Sequence, residues 1–154
     1  MFLPYINYCS EVWGNTYISN IKSIFVLQKK VVRIINYANF NDHTNELFLK
    51  SKIIKFLDLV KLKTAIVIYK ANKHLLPINV QTLFDNKDNF KYNLRNKQNF
   101  VMKHTRTKLK SMCLSVVGLK YWNSLDINLT NAKSLNCFKK LYKKYIFNCY
   151  KLEV

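Results

Sequence analysis

The chain is 154 residues long, and its 49% hydrophobic content with only 2 Gly and 2 Pro supplies enough apolar side chain for a buried core, which excludes wholesale disorder. So few turn formers also exclude an all-β sandwich, which needs punctuation every ~8 to 12 residues. Lys+Arg number 26 against 8 Asp+Glu, and a formal charge of +18 repels itself unless a polyanion neutralises it.

The expected class is therefore mainly α: a small helical domain with a long basic loop and room for one short β element. Residues 1–9 are apolar and end before Trp13-Gly14-Asn15, where Gly14 permits a turn and Thr16 or Ser19 could cap the next helix. From Ile18 to Tyr37, a step of ~100° per residue gathers Ile21, Ile24, Phe25, Val31, Val32 and Ile35 on one arc. Lys22, Lys29, Lys30 and Arg33 fall on the opposite arc, so this stretch is predicted to be an amphipathic helix with a cationic face. Thr44 is placed to cap a brief turn carrying Leu47, Phe48 and Leu49. Asp58 then stands in the first turn of a helix running to about Lys73, where the macrodipole favours a carboxylate. Apolar residues surround most of that helix, which predicts the central, buried element; Pro77 comes after its end.

Between residues 86 and 110 the periodicity vanishes and Lys, Arg and Asn dominate, interrupted by Phe90, Tyr92, Phe100 and Met102, which predicts a long basic loop or arm. Met112 to Val117 could form a short strand and Leu119 to Leu125 a helical turn. Ser134 is predicted to cap a last helix reaching about Tyr150. In it Leu135, Phe138, Leu141, Tyr142, Tyr145, Ile146 and Cys149 recur at helical spacing while Lys139, Lys140, Lys143 and Lys144 lie off that stripe. No internal repeat or domain boundary appears, so residues 1–154 read as one region.

The four cysteines, Cys9, Cys113, Cys137 and Cys149, are far apart, with no C-x-x-C pair and no His at finger spacing; they are expected to be reduced, partly buried thiols. No run of ~18 apolar residues and no leader pattern is present, which points to an intracellular, soluble chain, cytoplasmic or nuclear. Phosphoryl transfer by a polymerase needs clustered carboxylates around two Mg²⁺ ions. The nearest pair here, Asp85 and Asp88, reads as a solvated turn. Neither Gly14 nor Gly118 belongs to a phosphate-binding loop. His43, His74 and His104 show no supporting pattern for nucleophilic chemistry. No catalytic residue, metal, cofactor or small-molecule substrate is expected.

The cationic features carry more information. No Asp or Glu occurs from Val12 to Asn41, from Asn89 to Leu125, or from Ile127 to Leu152. A/T-rich codons also supply Asn, Ile, Tyr, Phe and Lys, but that bias accounts for abundant lysine better than for scarce acid. In the middle tract Phe90 and Tyr92 alternate with Lys91 and Arg95, a pattern suited to base stacking beside phosphates, although the same aromatics could tuck into a core. Lys22, Lys29, Lys30, Arg33, Lys91, Tyr92, Arg95, Arg106, Lys139, Lys140 and Lys143 are the expected nucleic-acid contacts. Trp13 and Trp122 are expected to anchor the core or its turns.

Several strings recur in an order and spacing that cover nearly the whole chain. They are Tyr8-Cys9 with Val12-Trp13-Gly14, Leu27-Gln28-Lys29-Lys30 with Arg33-Ile34-Ile35, and His43-Thr44 with Leu47-Phe48. Further on come Tyr69-Lys70, His74-Leu75-Leu76-Pro77, Tyr92-Asn93-Leu94-Arg95, Gly118 with Trp122-Asn123-Ser124-Leu125, and Ser134-Leu135 with Phe138-Lys139. Together they resemble the segment that comes after the polymerase domain in jockey-like LINE (non-LTR) retrotransposon reverse transcriptases. That resemblance implies a thumb-like and post-thumb helical region that helps grip an RNA/DNA template–primer duplex. The family's paired active-site aspartates lie upstream of this segment, so the chain alone is expected not to be an enzyme. Asp126 stands where the family has Pro after Trp-Asn-x-Leu. Two other readings compete: an inert translated transposon remnant, and a module that lies on membranes through its basic amphipathic helices.

Overall fold

The computed structural model describes residues 3–84, 100, 102 and 104–152, and every regular element among them is helical. In chain order they are α1 (Leu3–Asn7), α2 (Ser10–Trp13), α3 (Ile18–Ile35), α4 (Thr44–Lys50), α5 (Phe56–Asn72), α6 (Ile78–Gln81), α7 (Lys108–Ser111), α8 (Leu114–Asn123), α9 (Ile127–Thr130) and α10 (Leu135–Leu152). The fold is mainly α, and α5 is its axis. This helix buries Phe56, Val60, Leu62, Thr64, Ala65, Ile68, Tyr69 and Ala71, which lie on more than one face, as its nearly all-round apolar sequence requires. Helices α8 and α10 pack on it, and so do α2 and α3.

Two apolar clusters meet along α5. The larger joins Leu62, Ala65, Ile68, Tyr69 and Ala71 to Leu119, Trp122, Phe138, Tyr142, Ile146 and Tyr150. Fully buried Phe138 stands at its centre. Its ring centroid lies 4.8 Å from that of Tyr69, 5.9 Å from Trp122 and 5.8 Å from Tyr142. The smaller cluster sets Phe56 and Val60 against Ile6 and Ile21. Both glycines serve close approach to α5. A Cβ on Gly118 would meet Ile68 Cδ1 at 2.7 Å, and one on Gly14 would meet Val60 Cγ2 at 2.5 Å and press on the Ser10 carbonyl. Gly14 keeps a φ of −74°, so its lack of a side chain matters for packing and not for a left-handed turn.

With so few glycines, α3, α4 and α5 end on ordinary residues forced left-handed: Tyr37, Lys52 and His74 have φ of 53°, 52° and 53°. In each case the next residue's N–H reaches back to a carbonyl of the last turn: Ala38 to Arg33 O at 3.0 Å, Ile53 to Phe48 O at 3.0 Å, and Leu75 to Lys70 O at 2.8 Å. These bonds satisfy carbonyls that the helix leaves orphaned, and offset a strain of roughly 1 kcal/mol or more per residue.

Several expectations need correction. Met112 to Val117 is not a strand: Leu114 to Val117 open α8, which continues through the expected short helical turn to Asn123. An apolar run this short does not distinguish a strand from a buried helix, and the contact of Gly118 with α5 favours the helix. Thr44 does not cap α4; it is that helix's first residue, buried, with His43 at the cap position. Neither Thr16 nor Ser19 caps α3, since Tyr17 holds that position without a side-chain bond. Ser134 does cap α10, its Oγ accepting the Cys137 N–H at 3.2 Å. Cys9, Cys113 and Cys137 are exposed, and only Cys149 is half-buried. Trp122 is a core residue. Trp13 is a turn anchor: it stacks on Phe56 at 5.3 Å and its Nε1–H donates to the Tyr8 carbonyl at 2.7 Å. Asp126 holds φ −61°, a value open to proline, at the start of α9.

Candidate nucleic-acid interface

The cationic side chains stand on two long helices that the core holds from behind. Helix α3 turns Ile21, Gln28 and Val32 inward. Gln28 sits in the middle of the apolar face because its amide closes two backbone valences at the entry to α5. Its Nε2 donates to Ile54 O at 2.8 Å, and its Oε1 accepts the Phe56 N–H at 2.8 Å. Ile35, expected on the inward arc, is 52% exposed. Lys22 and Lys30 are exposed, while Lys29 is half-buried with its ammonium 4.6 Å from the Phe25 ring centroid. Arg33 serves the fold first. Its Nε and Nη2 donate to the Asp42 carbonyl at 3.2 and 3.0 Å, and its guanidinium lies 5.7 Å from the Phe40 ring, which fastens the loop after α3.

Helix α10 buries Phe138, Tyr142, Ile146 and Tyr150. Lys140, Lys143 and Lys144 are exposed and Lys139 is half-buried. Helices α3 and α10 both pack on α4 and α5, which place them in one body. Arg106 is exposed before α7 and lines, with His104 and Lys110, a separate cleft of about 360 Å³. Lys91, Tyr92 and Arg95, Phe90, the Asp85 and Asp88 pair, and most of the predicted 86–110 arm lie outside the described residues. Within the predicted arm Phe100 is tied down: it is buried, its ring 6.4 Å from Trp122, and its N–H and C=O pair with the Asn123 side-chain amide at 3.0 and 2.9 Å.

No family model, curated protein or solved structure matches the chain. Function must therefore be argued from charge and geometry. Three of the described acids engage close neighbours: Glu11 faces Lys63 at 3.6 Å, Asp58 faces Lys61 at 3.2 Å, and Asp42 accepts the Asn39 N–H at 2.7 Å. Helices α3, α7, α8 and α10 contain no Asp or Glu. Their lysine field is consequently not cancelled within any of these helices, an arrangement that attracts polyanions. Among the described residues no group of three or more His, Cys, Asp and Glu is placed to hold a metal ion, and no helix is long and apolar enough to cross a membrane.

Sequence reasoning missed one constellation. Tyr121, Tyr142, Tyr145 and Tyr150 gather with Asp58 and Lys61 around an open cleft of about 420 Å³. The Tyr150 hydroxyl donates to Asp58 Oδ2 at 2.6 Å and accepts the Lys55 N–H at 3.0 Å. Burial, and then the negative charge of Asp58, push the Tyr142 phenol above the usual tyrosine range. The neighbouring Cys149, and then burial, push that of Tyr145 upward. The signal available in the sequence is the excess of tyrosine on the α10 stripe, which helical spacing alone assigns to the core.

Proposed function

We propose that the chain binds nucleic acid as the post-palm, C-terminal segment of a non-LTR retrotransposon reverse transcriptase, gripping the template–primer duplex without a catalytic centre of its own. The observation that supports this most is the pair of acid-free helices, α3 and α10, anchored on one core with rows of lysine left outside. The ordered strings that resemble that family add to it. Several of them have scaffold roles here: Trp122 in the core, Asn123 on Phe100, and Gln28 at the α5 entry. In the parent protein the partner of this segment is the upstream polymerase domain. The apolar side chains that α3 leaves outside, Val26, Leu27, Ile34 and Ile35, suit such a neighbour.

The test is the salt dependence of binding to an RNA/DNA hybrid, followed by fluorescence anisotropy between about 50 and 200 mM salt. Each phosphate contact adds roughly 0.9 to the log–log slope on duplex. Replacing Lys139, Lys140 and Lys143 together by Gln should weaken binding and lower the slope by about 2 to 3. A flat salt response of the unaltered chain would overturn the proposal.

A further inference from the structure

The tyrosine-lined cleft formed by α5, α8 and α10 falls within the range of about 300 to 1,000 Å³ that suits small organic groups. One edge is rigid, because Asp58 is held by both Tyr150 and Lys61. The other is unfinished. Tyr142 is only 5% exposed, yet its hydroxyl, which belongs to the cleft lining, has no hydrogen-bond partner among the described residues. A hydroxyl left this way at the wall of an open cleft is free to donate to an acceptor carried by a ligand or water. Burial and the nearby Asp58 keep that phenol protonated, so it remains a donor. Beside it Tyr145, 51% exposed, meets the Tyr142 ring edge to face at 6.2 Å and leaves much of its own surface open.

Aromatic walls around a carboxylate could in principle hold an organic cation. Here the Lys61 ammonium already neutralises Asp58 from within the same wall and repels a second positive charge. A neutral, planar ring bearing both acceptors and donors fits better: a face to stack on Tyr145, an acceptor for the Tyr142 hydroxyl and Lys61, and an exocyclic amine for Asp58. We propose that the cleft seats one unpaired nucleobase of a bound strand whose phosphates run along the exposed lysines of α10. This deepens the nucleic-acid reading and rests on it.

The experiment compares two single-stranded DNA oligomers of equal length and charge, one carrying all its bases and one with abasic sites in their place, binding to the full chain. Stacking of one base in the cleft should make the base-bearing strand bind on the order of tenfold tighter. Tyr145→Ala should erase that difference while leaving the salt slope intact, and Tyr142→Phe, which keeps the ring, should reduce it in part. Equal binding of both oligomers with a steep salt slope would overturn the cleft proposal alone. Equal losses on both oligomers in Tyr145→Ala would do the same. Absence of salt-dependent binding to either oligomer or to the hybrid would overturn both proposals.

Discussion

Helices α3 and α10 each run 18 residues and neither carries an Asp or Glu, but they are fixed to α5 by different forces. Helix α10 meets it through rings: Phe138 and Tyr142 join Tyr69 and Trp122 in one aromatic cluster, and Tyr150 closes it by bonding Asp58 and the Lys55 N–H. Helix α3 meets the body through a smaller apolar seam, Ile21 against Phe56 and Val60 and the Phe25 ring 6.4 Å from that of Phe48, to which amides are added. Gln28 clasps Ile54 and Phe56, and Asn36 Nδ2 donates to Ser51 Oγ at 2.6 Å and to Val32 O at 2.8 Å. Ring packing rewards burial in proportion to area, whereas a buried amide pair is worth little net but costs much when one partner is lost. Helix α10 is thus held mainly by bulk, and α3 by a smaller apolar seam together with amides that fix its register.

The contrast is broken most directly at Phe138. Phe138→Ala empties the centre of the larger cluster and should cost about 3 to 5 kcal/mol, a large part of the roughly 5 to 15 kcal/mol that a domain possesses. Urea unfolding followed by circular dichroism measures it. A loss below about 1 kcal/mol would show that the cluster does not carry the α10 side. On the α3 side, Gln28→Ala strands the Phe56 N–H and the Ile54 carbonyl, and the expected cost is roughly 1 to 3 kcal/mol. An unchanged urea midpoint there would mean that α3 is seated by its apolar residues alone.

Legibility in the sequence divides along the same line. The axis α5, the start of α3 at Ile18, the Ser134 cap and the α10 stripe are legible because each is written in local spacing. The stops at Tyr37, Lys52 and His74 are not, since left-handed ends usually advertise themselves as glycine or asparagine. The carbonyl contacts of Gln28 and Arg33 are not legible for a related reason: both reach backbone carbonyls brought close only by the fold. The tyrosine cleft is out of reach altogether, because its key contact joins residues 58 and 150, 92 positions apart. Lys22, Lys30, Lys140 and Lys143 are exposed, as charge patterning foretells.

The smallest effect sharpens the comparison through pH, since α10 carries a buried phenol and α3 contains no tyrosine. Below about pH 10 Tyr142 is protonated in both the folded and the unfolded chain, so it adds no pH dependence. As pH rises past that point the unfolded chain gives up the proton while the folded chain, whose phenol is pushed higher, keeps it. The folded state then binds more protons than the unfolded state, and stability must fall as pH rises. Tyr145 contributes less, because its exposed ring is screened by water. Urea midpoints measured between about pH 9 and pH 11 should therefore decline in the unaltered chain and in Gln28→Ala alike, and decline less in Tyr142→Phe. An equal decline in Tyr142→Phe would mean that the phenol is open to solvent, and with it the unfinished edge of the cleft would disappear.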